Sequence, residues 1–266
     1  MPQLARLVAE FGHNFMTIFS LLQGNTCLRA AVTQRSRRRK VWASPLFVDD
    51  AQLVASARAD PQLLCDLQRF MGDPLNVADV TDAGVVEAAQ LVGSHLTRFA
   101  LCRAPISDAA VTALATYCVN LVELVLSGAE GLTGQAVRSV AGGLGPLVDL
   151  AMDSVQGMGD ADLKALGQGC TQLTHLCLGS MSDIGKEGYL ALGGLCKLTH
   201  VDLYGAVQLR VKHVQQLLPM LPELQRMYVH VEGAVLHRLQ GVNWRAVAAG
   251  CGCSHVHVLI LDADDA

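Results

Sequence analysis

The sequence predicts an α/β solenoid, with short parallel strands on a concave side and helices on a convex side. Three observations carry that prediction. The frame L-x-x-L-x-L recurs as LTRFAL at 96–101, LVELVL at 121–126, LVDLAM at 147–152, LTHLCL at 173–178, LTHVDL at 198–203 and LQRMYV at 224–229. Its starts lie 25, 26, 26, 25 and 26 residues apart, and self-similarity at such a fixed step marks a stack of like units. Between the frames, apolar residues recur at offsets of three and four, the spacing of one helix face. Finally, 51% of the residues are hydrophobic but only 5% are aromatic. The core is therefore layered from Leu, Val and Ala, which suits units that must all fit one mould.

Each frame is a strand whose leucines face inward and whose x positions face the concave surface. After the first frame, Ile106, Val111, Leu114, Cys118 and Leu121 outline a returning helix. Leu132, Val137, Val140, Leu144 and Leu147 repeat the outline, as do Met158, Leu163, Leu166, Cys170 and Leu173. Ile184, Tyr189 and Leu192 follow it in a unit one residue shorter, and Leu209, Val214, Leu217, Leu221 and Leu224 close the series. Ahead of the frames, Leu75 and Val77 are expected to form an irregular first strand. Behind them, residues 233–250 are expected as a longer helical return containing Trp244, and Val256, Leu259 and Leu261 as a last strand. Neither a strand nor a helix of one unit buries its apolar face alone, whereas stacking buries both. This is the plan of a leucine-rich-repeat solenoid, with about seven to eight repeats over residues 71–266. Polar residues open the helices: Thr81-Asp82 and Ser107-Asp108 stand where a cap and a negative charge are favoured.

With I-S-D-x-x-V at 106–111 and L-A-x-x-C-x-x-L at 114–121, the repeat resembles the cysteine-containing leucine-rich-repeat family over residues ~75–230. Cys118 and Cys170 occupy that family's helix cysteine. Ala104, Ala129, Met181 and Ala206 stand where its second cysteine falls.

Residues 1–50 resemble an F-box, a small helical module. Ile18-Phe19-Ser20-Leu21-Leu22, Leu28-Arg29-Ala30-Ala31 and Ser44-Pro45-Leu46-Phe47 carry the likeness. Phe11-Gly12 replaces the family's Leu-Pro start, and the basic run lacks its tryptophan. The resemblance implies contact with a Skp1-type adaptor through Phe15, Ile18, Phe19, Leu22, Leu28, Pro45 and Leu46. Residues 51–70 are expected as a helical linker on both sides of Asp60-Pro61.

The net charge of −4 gives no general attraction to nucleic acid or anionic membrane. The basic run at 35–40 is read as a solvated helix face, since no aromatic stacking platform accompanies it. No stretch reaches the ~20 apolar residues of a membrane span. The nine cysteines are odd in number and scattered, and no secretory signal is evident, so a reducing cytoplasmic setting is expected. Cys251-Gly-Cys253-Ser-His255-Val-His257 has ligand chemistry but not the spacing of a zinc module. No metal, cofactor, catalytic residue or homo-oligomer is expected.

The concave columns are the candidate site. One runs Arg98, Glu123, Asp149, His175, His200, Arg226. The next runs Ala100, Val125, Ala151, Cys177, Asp202, Tyr228, and the third Cys102, Ser127, Asp153, Gly179, Tyr204, His230. Aromatic and charged residues gather in the C-terminal half, and Tyr and Arg are frequent interface anchors. The expectation is non-enzymatic protein binding there. The family resemblance implies two settings. One is a structural subunit of a large assembly, such as the nexin–dynein regulatory complex of ciliary axonemes. The other is a substrate receptor of a Skp1–cullin–F-box ubiquitin ligase. A mitochondrial complex subunit is a third setting, although only two arginines fall in the first thirty residues.

Overall fold

A computed structural model describes residues 49–59, 63–65, 79–153 and 155–262, the side chains of 63–65, Cys102 and Asp262 aside. The F-box-like residues, Phe15 through Leu46 among them, and the expected strand at Leu75 and Val77 lie outside the described residues. The elements run α1 (Asp50–Ala59), β1 (Leu63–Cys65), α2 (Asp82–Val92), β2 (Arg98–Cys102), α3 (Asp108–Tyr117), β3 (Glu123–Ser127), α4 (Gly134–Gly143), β4 (Asp149–Met152) and α5 (Asp160–Gly169). They continue with β5 (His175–Leu178), α6 (Lys186–Ala191), β6 (His200–Tyr204), α7 (Val211–Leu217), β7 (Arg226–Val231), α8 (Gly233–Gln240), α9 (Trp244–Gly250) and β8 (His257–Asp262).

The eight strands form one parallel sheet in sequence order. The chain is a leucine-rich-repeat solenoid, as its frame predicts. The register is exact in repeat units: Glu123 pairs with Asp149, Asp149 with His175, His175 with His200 and His200 with Arg226. The strands β3 to β7 open the same way. The carbonyl of Thr97 accepts from the amides of both Val122 and Glu123, and Val148 and Thr174 repeat the fork one and two strands after Val122 does. Leu121, Leu147, Leu173, Leu198 and Leu224 each donate an amide bond to a carbonyl three residues earlier, closing the turn from helix to strand.

The core lies between the sheet and the helices. Leu124, Leu126, Leu150, Leu176, Leu178 and Leu203 face helix residues such as Val111, Leu114, Val140, Leu166 and Val214, all fully or nearly fully buried. Cys118 and Cys170 are buried in this layer. The Cys170 thiol approaches the carbonyls of Val140 and Leu144 at 3.8 and 3.7 Å. Burial pushes both thiols up to about 12.

The helices are tied to one another at their first turns. Asp82 accepts from the Ser107 amide at 2.7 Å and hydroxyl at 2.6 Å, and Asp108 does the same for Thr133 at 2.8 and 2.6 Å. Asp50 holds Thr81 likewise, at 2.7 Å for both bonds. Each carboxylate thus leaves its own helix to cap the next repeat. The Ser107 and Thr133 hydroxyls also accept from the amides of Ala109 and Gln135 inside their own helices. The chain of links skips one repeat. Gly134 stands where an aspartate would be, because a Cβ there would meet the Asp162 carboxylate. Asp162 instead caps Gly159 in its own helix at 2.8 Å and pairs with Arg138. Asp160 resumes the pattern onto the Gly185 amide at 2.7 Å.

Two expectations change. The segment 51–70 is not a purely helical linker: α1 is followed by β1, whose Leu63–Cys65 pair with Arg98–Ala100. Pro61 lies between them in sequence and blocks a continuing helix. The apolar triplet that follows has no period long enough to distinguish strand from helix. At the other end, β8 is slipped by one residue from the expected frame. Met227 pairs with Val258 and Val229 with Ile260, so Val258 and Ile260 pack against the core and Leu259 is exposed. Val256, Val258 and Ile260 alternate strictly, one residue short of L-x-x-L-x-L, and a shift of one exchanges the faces of a strand. The expected helical return is present, split into α8 and α9 with the Trp244 indole donating to the Leu239 carbonyl at 3.0 Å.

Replacing Asp108 by Ala removes two charge-assisted bonds at a partly exposed site, and is expected to lower unfolding free energy by about 1–2 kcal/mol in urea titration. Among the described cysteines, thiol labelling of the folded protein followed by peptide mass spectrometry should modify exposed Cys196 first, leaving buried Cys118, Cys170 and Cys177 untouched until denaturant is added.

Candidate protein-binding surface

The first concave column is a row of polar side chains in register. Arg98 and Glu123 form an ion pair at 3.2 Å, with Arg98 largely exposed. Desolvation raises the Glu123 carboxyl above its ordinary range, against the opposing pull of Arg98. Asp149 Oδ1 lies 2.8 Å from His175 Nδ1, and the His175 ring stacks on His200 with centroids 4.7 Å apart. The hydroxyls of Thr174 and Thr199, the residues just before β5 and β6, meet the Nδ1 atoms of the next residues, at 2.8 Å for His175 and 2.9 Å for His200. Each histidine is therefore oriented by its own strand.

A second polar group lies nearer the C-terminus. His230 Nε2 is 2.9 Å from Asp202 Oδ1, and the Tyr204 ring stacks on His230 with centroids 3.9 Å apart. In both Asp–His pairs the atoms lie within hydrogen-bond distance but off the hydrogen-bonding direction.

Burial divides the expected site residues. Asp149, His175, Asp202 and His230 are only 4%, 7%, 3% and 2% exposed. They belong to the interior, not to a solvated face. The small second-column residues Ala100, Val125, Ala151 and Cys177 are buried beside them. Glu123, His200, Tyr204, Arg226 and Tyr228 are half-buried, and Arg98 is exposed. Two accessible residues were not expected on the concave face: His257 and Leu259 of β8, which sit in register with Arg226 and Tyr228. The one-residue slip concealed them, because the expected frame turned Leu259 inward. Of the cysteine–histidine run at 251–257, Cys253 is buried while His255 and His257 are exposed. Among the described residues no three His, Cys, Asp or Glu side chains converge as a metal site.

The His200 imidazole is pushed down to about 4, first by burial and then by His175 and Arg226. Protonation is therefore easier in the unfolded chain, whose histidines titrate near 6.5. The neutral ring's contribution is intact above pH 6.5 and declines as pH falls toward 4. His200→Gln should consequently lose less stability than the parent between pH 6.5 and 4, in denaturant titrations at fixed pH steps.

No family model matches the chain, and no curated protein matches it. Among solved structures, internalin C2 from Listeria monocytogenes is similar at 15% identity and TM-score 0.42, over 82% of this chain and 98% of that one. A structure of the yeast Rad7 and Elc1 complex is similar at 13% identity and TM-score 0.42, over 86% of this chain and 65% of that one.

Proposed function

We propose that the protein is a non-enzymatic scaffold that binds another protein on the C-terminal half of its concave face. One observation carries this reading: Asp149, His175, Asp202 and His230 are buried in the sheet's middle, while Arg226 and Tyr228 keep accessible surface beside exposed His257 and Leu259. Tyr and Arg give large contact areas and directional bonds, the usual composition of interface anchors. A row of parallel strands also holds these residues in fixed positions, so little ordering is needed on binding.

The setting we favour is a permanent place in a large assembly, such as the nexin–dynein regulatory complex of cilia. The replacement of the F-box Leu-Pro start by Phe11-Gly12 favours this over adaptor-driven ubiquitin ligation, in which Skp1 and a cullin would be partners. Subunits of a mitochondrial complex are the remaining alternative.

Affinity capture with the tagged full chain, read by quantitative mass spectrometry, tests both levels. Arg226→Glu combined with Tyr228→Ser should remove the principal partner at least tenfold, whereas Lys164→Glu on the exposed side of α5 should not. Equal capture by all three proteins would end the concave-face reading. Axonemal partners support the assembly setting. Skp1 and cullin, or inner-membrane proteins, would replace it.

A further inference from the structure

We infer that the edge of the solenoid where α6 and α7 begin is a second interaction surface, which takes a short acidic segment of a partner protein. It lies at the helix starts, apart from the concave face. A rule of the fold exposes it. The first residue of α1, α2, α3 and α5 is an aspartate that accepts from the amide opening the next helix: Asp50 from Thr81, Asp82 from Ser107, Asp108 from Thr133 and Asp160 from Gly185. Where Gly134 takes that place in α4, Asp162 supplies a carboxylate to the Gly159 amide instead. The rule breaks at α6. Its first residue is Lys186, and the residue opening the neighbouring helix is Arg210. Among the described residues no side-chain cap replaces the missing carboxylate at the start of α7.

Lys212 adds a third cation one residue into α7. Lys186, Arg210 and Lys212 are all exposed, and among the described residues none of them is ion-paired. Buried His213 registers their proximity. Its imidazole is pushed below its ordinary value first by burial and then by Lys212, Arg210 and Lys186. It is therefore neutral at pH 7 and adds nothing to the charge. Cations at a helix start also oppose the helix dipole. The fold thus gives up a link and gathers like charges at the place where the earlier helix starts are stabilised. A local rule broken without compensation inside the molecule marks a site used from outside.

Charge and size select the occupant. The cations are bounded by exposed Glu187 beside Lys186 and by exposed Glu232 at the start of α8. Packed helices lie about 8–10 Å apart, a distance that about three residues of extended chain span. A run of roughly three to five acidic residues therefore covers the patch. An extended polyanion such as nucleic acid meets the net charge of −4 beyond it. Anionic membrane is held by clusters of about 4–8 cations. Arg238 strengthens the field at the rim, while its Nη2 is held by the Val207 and Leu209 carbonyls at 3.4 and 3.3 Å.

A fluorescein-labelled peptide of five glutamates between Gly-Ser flanks, titrated into the full chain and followed by anisotropy, tests this. The parent should bind it, and less tightly as salt is raised. Arg210→Glu and Lys212→Glu should each weaken binding roughly fivefold or more, and Lys164→Glu on α5 less than about twofold. Lys186→Asp should weaken binding as much while raising the urea midpoint, because the new carboxylate restores the link to the Arg210 amide. Misfolding does not produce that pair of results. Equal binding by the parent and these three variants would overturn the site, as would no binding by the parent or equal binding of a five-lysine peptide. A lowered midpoint for Lys186→Asp would overturn the reading of Lys186 as a relinquished link. Oligothymidylate or phosphatidylserine vesicles held through Arg210, with the peptide unbound, would overturn the choice of a protein segment. The Arg226→Glu, Tyr228→Ser protein should bind the peptide within about twofold of the parent, so the two surfaces succeed or fail separately.

Discussion

The step of 25–26 residues is the constraint on which the rest of the structure depends. A parallel sheet of successive strands places each residue beside its counterpart in the next repeat. Whatever occupies one repeat position is stacked into a column, and every column must be compatible with itself. Leucine columns satisfy this by packing. Charged and hydrogen-bonding columns satisfy it only if neighbours complement one another. Arg98 beside Glu123 and Asp149 beside His175 are that complement on the sheet. Asp82 to Ser107 and Asp108 to Thr133 are its version at the helix starts.

The same rule separates structure from surface. Within the array, several polar side chains meet the adjacent repeat, as Glu123 meets Arg98 and Asp149 meets His175, and the latter pair is buried. Complementation weakens where the array becomes irregular. At β8 the frame is a residue short, so a leucine faces outward next to a tyrosine, and a histidine next to an arginine. The features that distinguish a binding surface thus accumulate where repeat regularity fails.

Much of this was legible in the sequence. The strands β2 to β7 and the helices between them follow from the leucine frame, because a long run of equal steps leaves one compatible register. The concave columns also follow, since alternation assigns each x position to one face. Burial within those columns was not legible: Asp149 and Asp202 read as solvated acids, and although Asp149 and His175 are neighbours in one column, the Asp202–His230 pair crosses between two columns and shows only in the folded sheet. The irregular ends were the least legible. Leu63–Cys65 carry too few residues to show a period, and the deletion ahead of Val258 moves Leu259 to the opposite face.

The central claim is that the middle of the concave face is closed structure and its C-terminal end is open surface. Diethyl pyrocarbonate modification of the native protein, resolved by peptide mass spectrometry, tests this directly because histidines mark both regions. His257 should be modified rapidly, with His175 and His230 protected until the fold is lost. Comparable modification rates for all three in the folded protein would contradict it.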